Sequence, residues 1–184
     1  ILIAMLHHLD LGVGAVVNKL KTQGLWENTL LFFLTDNGGS KAMHANNGKL
    51  RGYKGSLYEG GIRTPFIVSW PAKFKGGRTI NKPVISLDIL PTVIDATNTA
   101  RLAKQKFDGK SLLPLLNENS TNHHPLLFWN SGEEKSEWAV REGKWKAHSL
   151  RGKLQLFNLI KDPSEKNNIV NKEAALAKRL AELH

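Results

Sequence analysis

An acid-amide pair and a lysine between glycines are the residues of this chain whose types and spacing could do chemistry. Asp36 and Asn37 directly follow the apolar residues 30–34, and Lys54 lies eighteen positions after Asp36. Carboxylate and amide oxygens are ligands that Ca²⁺ and Mg²⁺ prefer. A lysine ammonium is a compact donor for an anionic oxygen. The segment therefore predicts a metal site next to a binding site for an anion.

Each feature also has a simpler interpretation. The sequence Asp-Asn-Gly-Gly at residues 36–39 is typical of a turn at a strand end, with no metal involved. Most lysines in glycine-containing loops are solvated, although Gly52 and Gly55 would let the backbone at Lys54 approach a ligand closely. Neither feature identifies a site by itself.

The flanking elements predict an α/β arrangement around these residues. Residues 1–21 carry apolar side chains at spacings of three and four, which predicts an amphipathic helix, and Gly24 would end it. Residues 30–34 form a short apolar run typical of a buried parallel strand. The acid-amide pair would then lie at the carboxyl end of a strand, where open α/β sheets place ligands.

The rest of the chain predicts the end of this α/β domain and then a second, smaller module. A strand at 65–70 and a helix at 87–98, capped by Ser86, come first, and a polar linker at 117–124 follows. This pattern divides the chain into domains at 1–118 and 119–184. The second domain is expected to be a small antiparallel sheet with a terminal helix, built from short strands at 126–129, 138–141, 145–148 and 154–159 and a helix at 172–183.

Residues 30–68 resemble the sulfatase family of the alkaline-phosphatase-like superfamily. The resemblance extends over nearly the whole chain but covers only the C-terminal portion of a family member. It implies an α/β fold, namely part of an alkaline-phosphatase-like sulfatase sheet with flanking helices, followed by the small antiparallel sheet and helix. Sulfatases attack with a formylglycine made from a C/S-x-P-x-R motif. This chain has no cysteine and no such serine motif, so we expect the nucleophile in the missing N-terminal half and the isolated chain to be inactive.

The resemblance also implies roles for individual residues. Asp36 and Asn37 match the family's second pair of calcium ligands, with Mg²⁺ a weaker alternative. Lys54 matches the residue that contacts the sulfate and helps to stabilise the leaving-group oxygen.

Three neighbouring residues receive supporting roles. His44 is expected in a loop that selects the substrate, and an exposed position without function is an equally open interpretation. Glu59 and Arg63 are expected to brace the loop around the lysine and not to touch the substrate.

Two other functions stay open. A phosphate or phosphonate monoester hydrolase of the same superfamily would bind phosphate where a sulfatase binds sulfate. Such relatives commonly have Asp-His and two zinc ions where this chain has Asp36-Asn37, and the amide therefore favours a sulfatase. The chain could also be a non-catalytic remnant that binds sulfated glycans, which its net charge of +10 would suit.

The composition limits the classes of partner that this chain is expected to bind. The basic residues are spread from Lys19 to Arg179 without a dense tract, so we expect no nucleic acid and instead a sulfated small molecule or glycan. No apolar run approaches the length of a membrane span. Pairing with the missing half or self-association is expected, and family habit implies a periplasmic, secreted or lysosomal protein.

Several polar and aromatic residues of the second half are predicted to have no catalytic role. His123 and His124 are expected to be solvated in the linker, and Asn119 begins a glycosylation sequon that arises often by chance. The tryptophans 129, 138 and 145 are expected in the core, although a sugar-stacking surface is an alternative.

Overall fold

The computed structural model describes residues 1–100, 106–118, 123–132 and 137–184. The sequon at Asn119 and much of the predicted linker lie outside these ranges. The backbone forms two compact units, one made of Ile1–Lys73 and Leu126–His184 and the other of Phe74–Pro125. The predicted domain division at residue 118 stays a prediction.

The first unit begins with helix α1, Leu2–Thr22, as the apolar spacing predicts. Gly24 follows at a φ of +68°, a left-handed conformation that glycine adopts at little cost and that ends the helix. The apolar stripe of α1 is exposed, with Ile3 83% and Leu6 54% accessible. Tertiary packing within the described residues therefore does not cover this helix.

Strands β1, Leu31–Leu34, and β2, Phe66–Ser69, form a two-stranded sheet. They pair antiparallel, with Leu31 opposite Ser69 and Leu34 opposite Phe66. The prediction that residues 30–34 form a buried parallel strand is therefore wrong in direction, and the strand is only half-buried. An apolar run indicates that a strand is at least partly buried. The direction of the strand relative to its neighbour depends instead on the path of the loops between them.

The C-terminal part of the first unit is a four-stranded antiparallel meander, whose strands pair in sequence order. They are β3 Leu126–Asn130, β4 Trp138–Glu142, β5 Trp145–Leu150 and β6 Lys153–Asn158. Helix α5, Ala174–Ala181, packs on it through Ala177 and Leu180, which join Val140 and Leu156 in a buried core. The predicted antiparallel sheet with a terminal helix is confirmed.

The first unit also contains helix α2, Glu59–Ile62. The second unit contains α3, Ile89–Ala96, and α4, Leu113–Leu116. The helix predicted at 87–98 is thus present but shorter, because Ser86–Asp88 forms a separate 3₁₀ turn before it. Ser86 is not the cap, since the residue before α3 is Asp88. Within the described ranges, no helix is both long enough and apolar enough to cross a membrane.

Candidate functional site

A backbone hydrogen bond joins the two loops that carry the predicted site. We call residues 35–39 the acid-amide loop and residues 51–59 the lysine loop. The N–H of Lys54 donates to the carbonyl oxygen of Gly39 over 3.1 Å. The fold therefore brings the two predicted features together.

Gly38 fixes the acid-amide loop against helix α2. Its N–H donates to the carbonyl oxygen of Gly61 over 2.9 Å. A Cβ at Gly38 would lie 1.7 Å from the carbonyl oxygen of Gly60, which is far inside van der Waals contact. Only glycine allows this approach, so the conformation of the loop depends on it.

Asn47 links the same two loops through its side chain. Its Oδ1 accepts the N–H of Gly39 over 2.9 Å, and its Nδ2 donates to the carbonyl oxygen of Gly52 over 3.0 Å. Sequence reasoning missed this residue, because an asparagine in the Asn-Asn-Gly sequence at 46–48 reads as an ordinary turn.

Asp36 is exposed and Asn37 is half-buried. The Asp36 Oδ1 accepts the N–H of Asn37 over 2.8 Å, and the Asn37 Nδ2 donates to the carbonyl oxygen of Gly38 over 2.9 Å. These bonds hold both side chains close to the loop backbone and engage the amide nitrogen of Asn37. The pair presents oxygen donors, which suit a hard divalent cation.

Lys54, His44 and Arg63 are exposed. His44 ends a short 3₁₀ turn with a left-handed backbone, at a φ of 52°. The exposed ammonium of Lys54 and the exposed ring of His44 are accessible to a ligand from solvent. Their roles in substrate binding stay predictions, as does the bracing role of Arg63.

Glu59 differs from these exposed residues, because it is only 2% exposed. Its Oε1 lies 3.0 Å from the Nζ of Lys146, and its Oε2 lies 3.8 Å from Nη1 of Arg141. Lys146 is fully buried and lies 2.9 Å from a second buried carboxylate, that of Glu165. Burial raises the pKa of Glu165, and the neighbouring Lys146 ammonium opposes that rise. Sequence reasoning missed Lys146 and Glu165.

Tyr58, next to Glu59, anchors the lysine loop to the meander. Its ring packs edge-on against His148 at 4.4 Å between centroids, and its hydroxyl donates to Gln155 over 2.9 Å. The Nε2 of His148 lies 2.9 Å from Glu137. Burial is the main cause that lowers the pKa of His148, while the hydrogen bond to Glu137 opposes the shift.

The second unit contains a separate buried cluster of Asp88, His123 and His124. Nε2 of His124 lies 2.8 Å from Oδ1 of Asp88, and Nε2 of His123 lies 3.2 Å from Oδ2. Among the described residues, this is the group of three acidic or histidine side chains that could hold a metal ion. The two histidines are 5% and 7% exposed, and the prediction that they are solvated is therefore wrong.

The Asp88 carboxylate also accepts backbone N–H groups, from Ile85 over 3.0 Å and from Lys110 over 2.8 Å. Four donors thus surround two carboxylate oxygens. This arrangement satisfies a buried charge without a metal, and it ties the 3₁₀ turn before α3 to the segment before α4. Sequence reasoning missed this role of His123 and His124, because both lie in a polar stretch and their acceptor, Asp88, is 35 residues away from His123.

Two of the three tryptophans are in the predicted environment. Trp138 and Trp145 are partly buried and pack against the core of the meander. Trp129 is half-buried. The core interpretation is confirmed for Trp138 and Trp145.

Two family models match this chain. The family model Sulfatase matches residues 3–99, and the model N-sulphoglucosamine sulphohydrolase, C-terminal, matches residues 52–184. Arylsulfatase A of Bos taurus is 33% identical over 195 residues, which cover 90% of this chain and 38% of the relative.

Solved structures share the fold. The structure of Ps i-CgsB in complex with k-i-k-neocarrahexaose matches with a TM-score of 0.91 and 33% identity, over 97% of this chain and 40% of that one. The phosphonate monoester hydrolase of Agrobacterium radiobacter matches with a TM-score of 0.69 at 21% identity, over 94% of this chain and 37% of that one, and shares the fold alone. The chain spans about two fifths of these proteins.

These matches confirm the predicted fold class, an α/β sulfatase fold that continues into a small antiparallel sheet and helix. They also confirm the resemblance carried by the acid-amide and lysine loops. The chain belongs to the sulfatase family and corresponds to the C-terminal portion of a larger enzyme.

Proposed function

We propose that the complete protein is a sulfuric ester hydrolase, to which this chain contributes a calcium-ligand pair and a sulfate-binding lysine. The observation that carries the proposal is the hydrogen bond from the Lys54 N–H to the Gly39 carbonyl oxygen. It sets an oxygen-donor pair and an exposed ammonium on two directly connected loops. That combination suits a sulfate group, which carries negative charge on its oxygens.

Asp36 and Asn37 fit a calcium ion by the chemistry of their donors. A calcium ion takes about six to eight oxygen ligands, so this pair would share the ion with further ligands. Bound there, calcium would supply positive charge to offset the negative charge of the sulfate oxygens. Mg²⁺ is the weaker alternative, because it demands near-ideal octahedral geometry.

Lys54 would donate from its ammonium to a sulfate oxygen and to the oxygen of the leaving alcohol. Such a charge-assisted hydrogen bond contributes about 1.5 to 3 kcal/mol. His44 would contact the remainder of the substrate. A formylglycine outside this chain would supply the nucleophile, and we therefore expect the chain alone to be inactive and to bind Ca²⁺ weakly.

The substrate class follows from the same chemistry. We infer a sulfated small molecule or glycan, and the complex of Ps i-CgsB with a neocarrahexaose makes a glycan the first candidate to test. A periplasmic, secreted or lysosomal location would suit such a substrate. Pairing of this chain with an N-terminal half would cover the exposed stripe of α1.

The deciding experiment compares turnover of an aryl sulfate and the matching aryl phosphate by the complete natural protein. A sulfatase should prefer the sulfate by kcat/KM. Preference for an aryl phosphate or phosphonate would support the alternative hydrolase. Saturating turnover by this chain alone would contradict its predicted inactivity.

A non-catalytic glycan-binding protein is distinguished by its binding behaviour. Heparin affinity that survives both Lys54→Ala and calcium removal would indicate general attraction to the net charge of +10. Binding of sulfate at the proposed site should weaken under both changes.

A further inference from the structure

Both ends of the lysine loop are bound by one distant residue, Glu165. Its Oε2 accepts the N–H of Glu59 over 2.6 Å, and its carbonyl oxygen accepts Nη1 of Arg51 over 2.7 Å. Glu59 and Arg51 are the last and first residues of the loop that carries Lys54. Glu165 thus contacts the loop at both boundaries, although it lies 106 and 114 residues away in sequence.

Glu165 is itself held in place. Its side chain is fully buried, and its Oε1 lies 2.9 Å from the buried ammonium of Lys146. Lys146 belongs to strand β5 of the meander and also lies 3.0 Å from Oε1 of Glu59. Because a buried carboxylate is costly without a partner, the Lys146 ammonium offsets part of that cost and holds the Glu165 side chain in position.

The backbone at Glu165 adopts a left-handed conformation, with a φ of 50°. A non-glycine residue avoids this region unless the surrounding contacts enforce it. Here the N–H of Glu165 donates to the carbonyl oxygen of Asp162 over 3.2 Å. The turn therefore directs the carbonyl and the carboxylate of one residue at two different parts of the lysine loop.

The ends of the loop also contact each other, since the N–H of Gly60 donates to the carbonyl oxygen of Arg51 over 2.6 Å. The Arg51 guanidinium lies 4.0 Å from the ring centroid of Tyr58. These contacts close the loop at its two ends, and the bond from the Lys54 N–H to the Gly39 carbonyl oxygen holds the loop between them. A small displacement of a group that contacts the substrate can lower a rate by about 100-fold.

We propose that Glu165, held by Lys146, is a positioning residue that fixes the lysine loop and thereby sets the location of the Lys54 ammonium. The inference rests on the proposed function of Lys54 as the sulfate-binding residue. Glu165 does not touch the substrate in this scheme and acts through the loop.

The test uses Glu165→Gln in the complete natural protein, because glutamine keeps the size of the side chain and an acceptor for Glu59 but removes the charge that pairs with Lys146. Glu142→Gln is the matched control, since Glu142 pairs with Arg179 of α5, apart from the lysine loop. We expect Glu165→Gln to lower kcat/KM for an aryl sulfate by about 10- to 100-fold. The control should stay within about twofold of the wild type.

Two readouts separate positioning from general support of the fold. Amide hydrogen exchange of residues 51–60 should accelerate in Glu165→Gln, while exchange of β3, β4 and α5 stays as in the wild type. In a Lys54→Ala background, Glu165→Gln should cause little further loss of activity, because its effect passes through Lys54. If Glu165→Gln does not fold, Glu165→Asp takes its place, since it keeps the charge but is too short to reach both partners.

Unchanged exchange in residues 51–60 would overturn the proposal, and so would an equal loss of activity with and without Lys54. A third outcome would be faster exchange in Glu165→Gln together with unchanged turnover in Lys54→Ala. Glu165 would then fix the loop, but the proposed function of Lys54 would fail, and with it the proposal that Glu165 positions the Lys54 ammonium for catalysis.

Discussion

The backbone N–H of Lys54 and the carbonyl oxygen of Gly39 are joined by a hydrogen bond of 3.1 Å. Because this bond uses backbone atoms, it does not depend on the lysine side chain. The connection between the two loops should therefore survive substitution at position 54, and the contribution of the ammonium can be measured separately from the fold.

We expect Lys54→Ala in the complete protein to lower kcat/KM for an aryl sulfate by about 10- to 150-fold, which corresponds to loss of a charge-assisted contact of about 1.5 to 3 kcal/mol. Lys49→Ala is the control, because Lys49 is an exposed lysine shortly before the same loop. Steady-state kinetics measures both variants. Equal activity of Lys54→Ala and the wild type would contradict the assigned role.

Asp36→Asn should weaken Ca²⁺ binding by about tenfold or more, because the substitution removes one negative charge from the donor set. The amide oxygen can still accept the N–H of Asn37, so the loop should keep its shape. Calcium titration of the complete protein measures the change. Asp10→Asn, at an exposed position of α1, should leave calcium affinity unchanged, and an equal effect of both variants would point to general electrostatics.

Gly38→Ala should lower the free energy of unfolding by about 1 to 3 kcal/mol, since a Cβ would lie 1.7 Å from the Gly60 carbonyl oxygen and the backbone must shift. Gly14→Ala is the matched control. A Cβ there meets no atom within 4 Å, and within helix α1 alanine should add about 0.5 to 1 kcal/mol. Urea unfolding compares the two, and a neutral Gly38→Ala would contradict the close approach of acid-amide loop and α2.

Acidification should destabilise the fold through His148. Burial lowers its pKa below the ordinary value of 6.5, so between the two values the unfolded chain binds a proton that the folded chain does not. The free energy of unfolding then falls as pH decreases below about 6.5. Lys146 and Arg51 act in the same direction as burial, whereas Glu137 opposes it.

Urea unfolding at pH 7.5 and at pH 5.5 checks this dependence. His123 contributes with the same sign, because burial lowers its pKa as well. His148→Gln should flatten the dependence without removing it. Because the raised pKa of Glu165 acts in the opposite direction, the shift at His148 would be contradicted if His148→Gln lost as much stability between pH 7.5 and pH 5.5 as the wild type.

Asp88→Asn should destabilise the protein by about 1 to 3 kcal/mol, because an amide cannot accept from all four donors that surround the carboxylate. Asp108→Asn, at an exposed position of the same unit, should have little effect. Thermal unfolding measures both. A rise in the wild-type unfolding midpoint on adding equimolar Zn²⁺, absent in Asp88→Asn, would show that the cluster holds a metal instead.

Local patterns were sufficient to predict most elements. Helix α1 and the four strands of the meander follow from spacing and turn residues, which depend on neighbours in sequence. The direction of β1 was not predictable in this way. Its pairing with β2 depends on a return of the chain over residues 35–65, and an apolar run is compatible with either direction.

Sequence reasoning likewise identified only part of the candidate site. Asp36, Asn37 and Lys54 were proposed from their types and spacing, because each lies in a glycine-rich loop with a recognisable motif, and the structure joins their two loops by a hydrogen bond. Lys146 and Glu165 were not found, since a lysine on a strand and a glutamate after a proline read as surface residues. Their burial and pairing arise only when segments about 90 to 110 residues apart meet.

The sequence by itself thus indicated the family and most of the helices and strands, and it supplied the candidate residues for binding a cation and an anion, because these inferences use residue type and short-range spacing. The tertiary structure decided the antiparallel pairing of β1 with β2, the burial of His123 and His124 and the attachment of the lysine loop to Glu165. Each of these requires that desolvation of a polar or charged group be compensated by a partner far away in sequence, and only the folded chain brings that partner close.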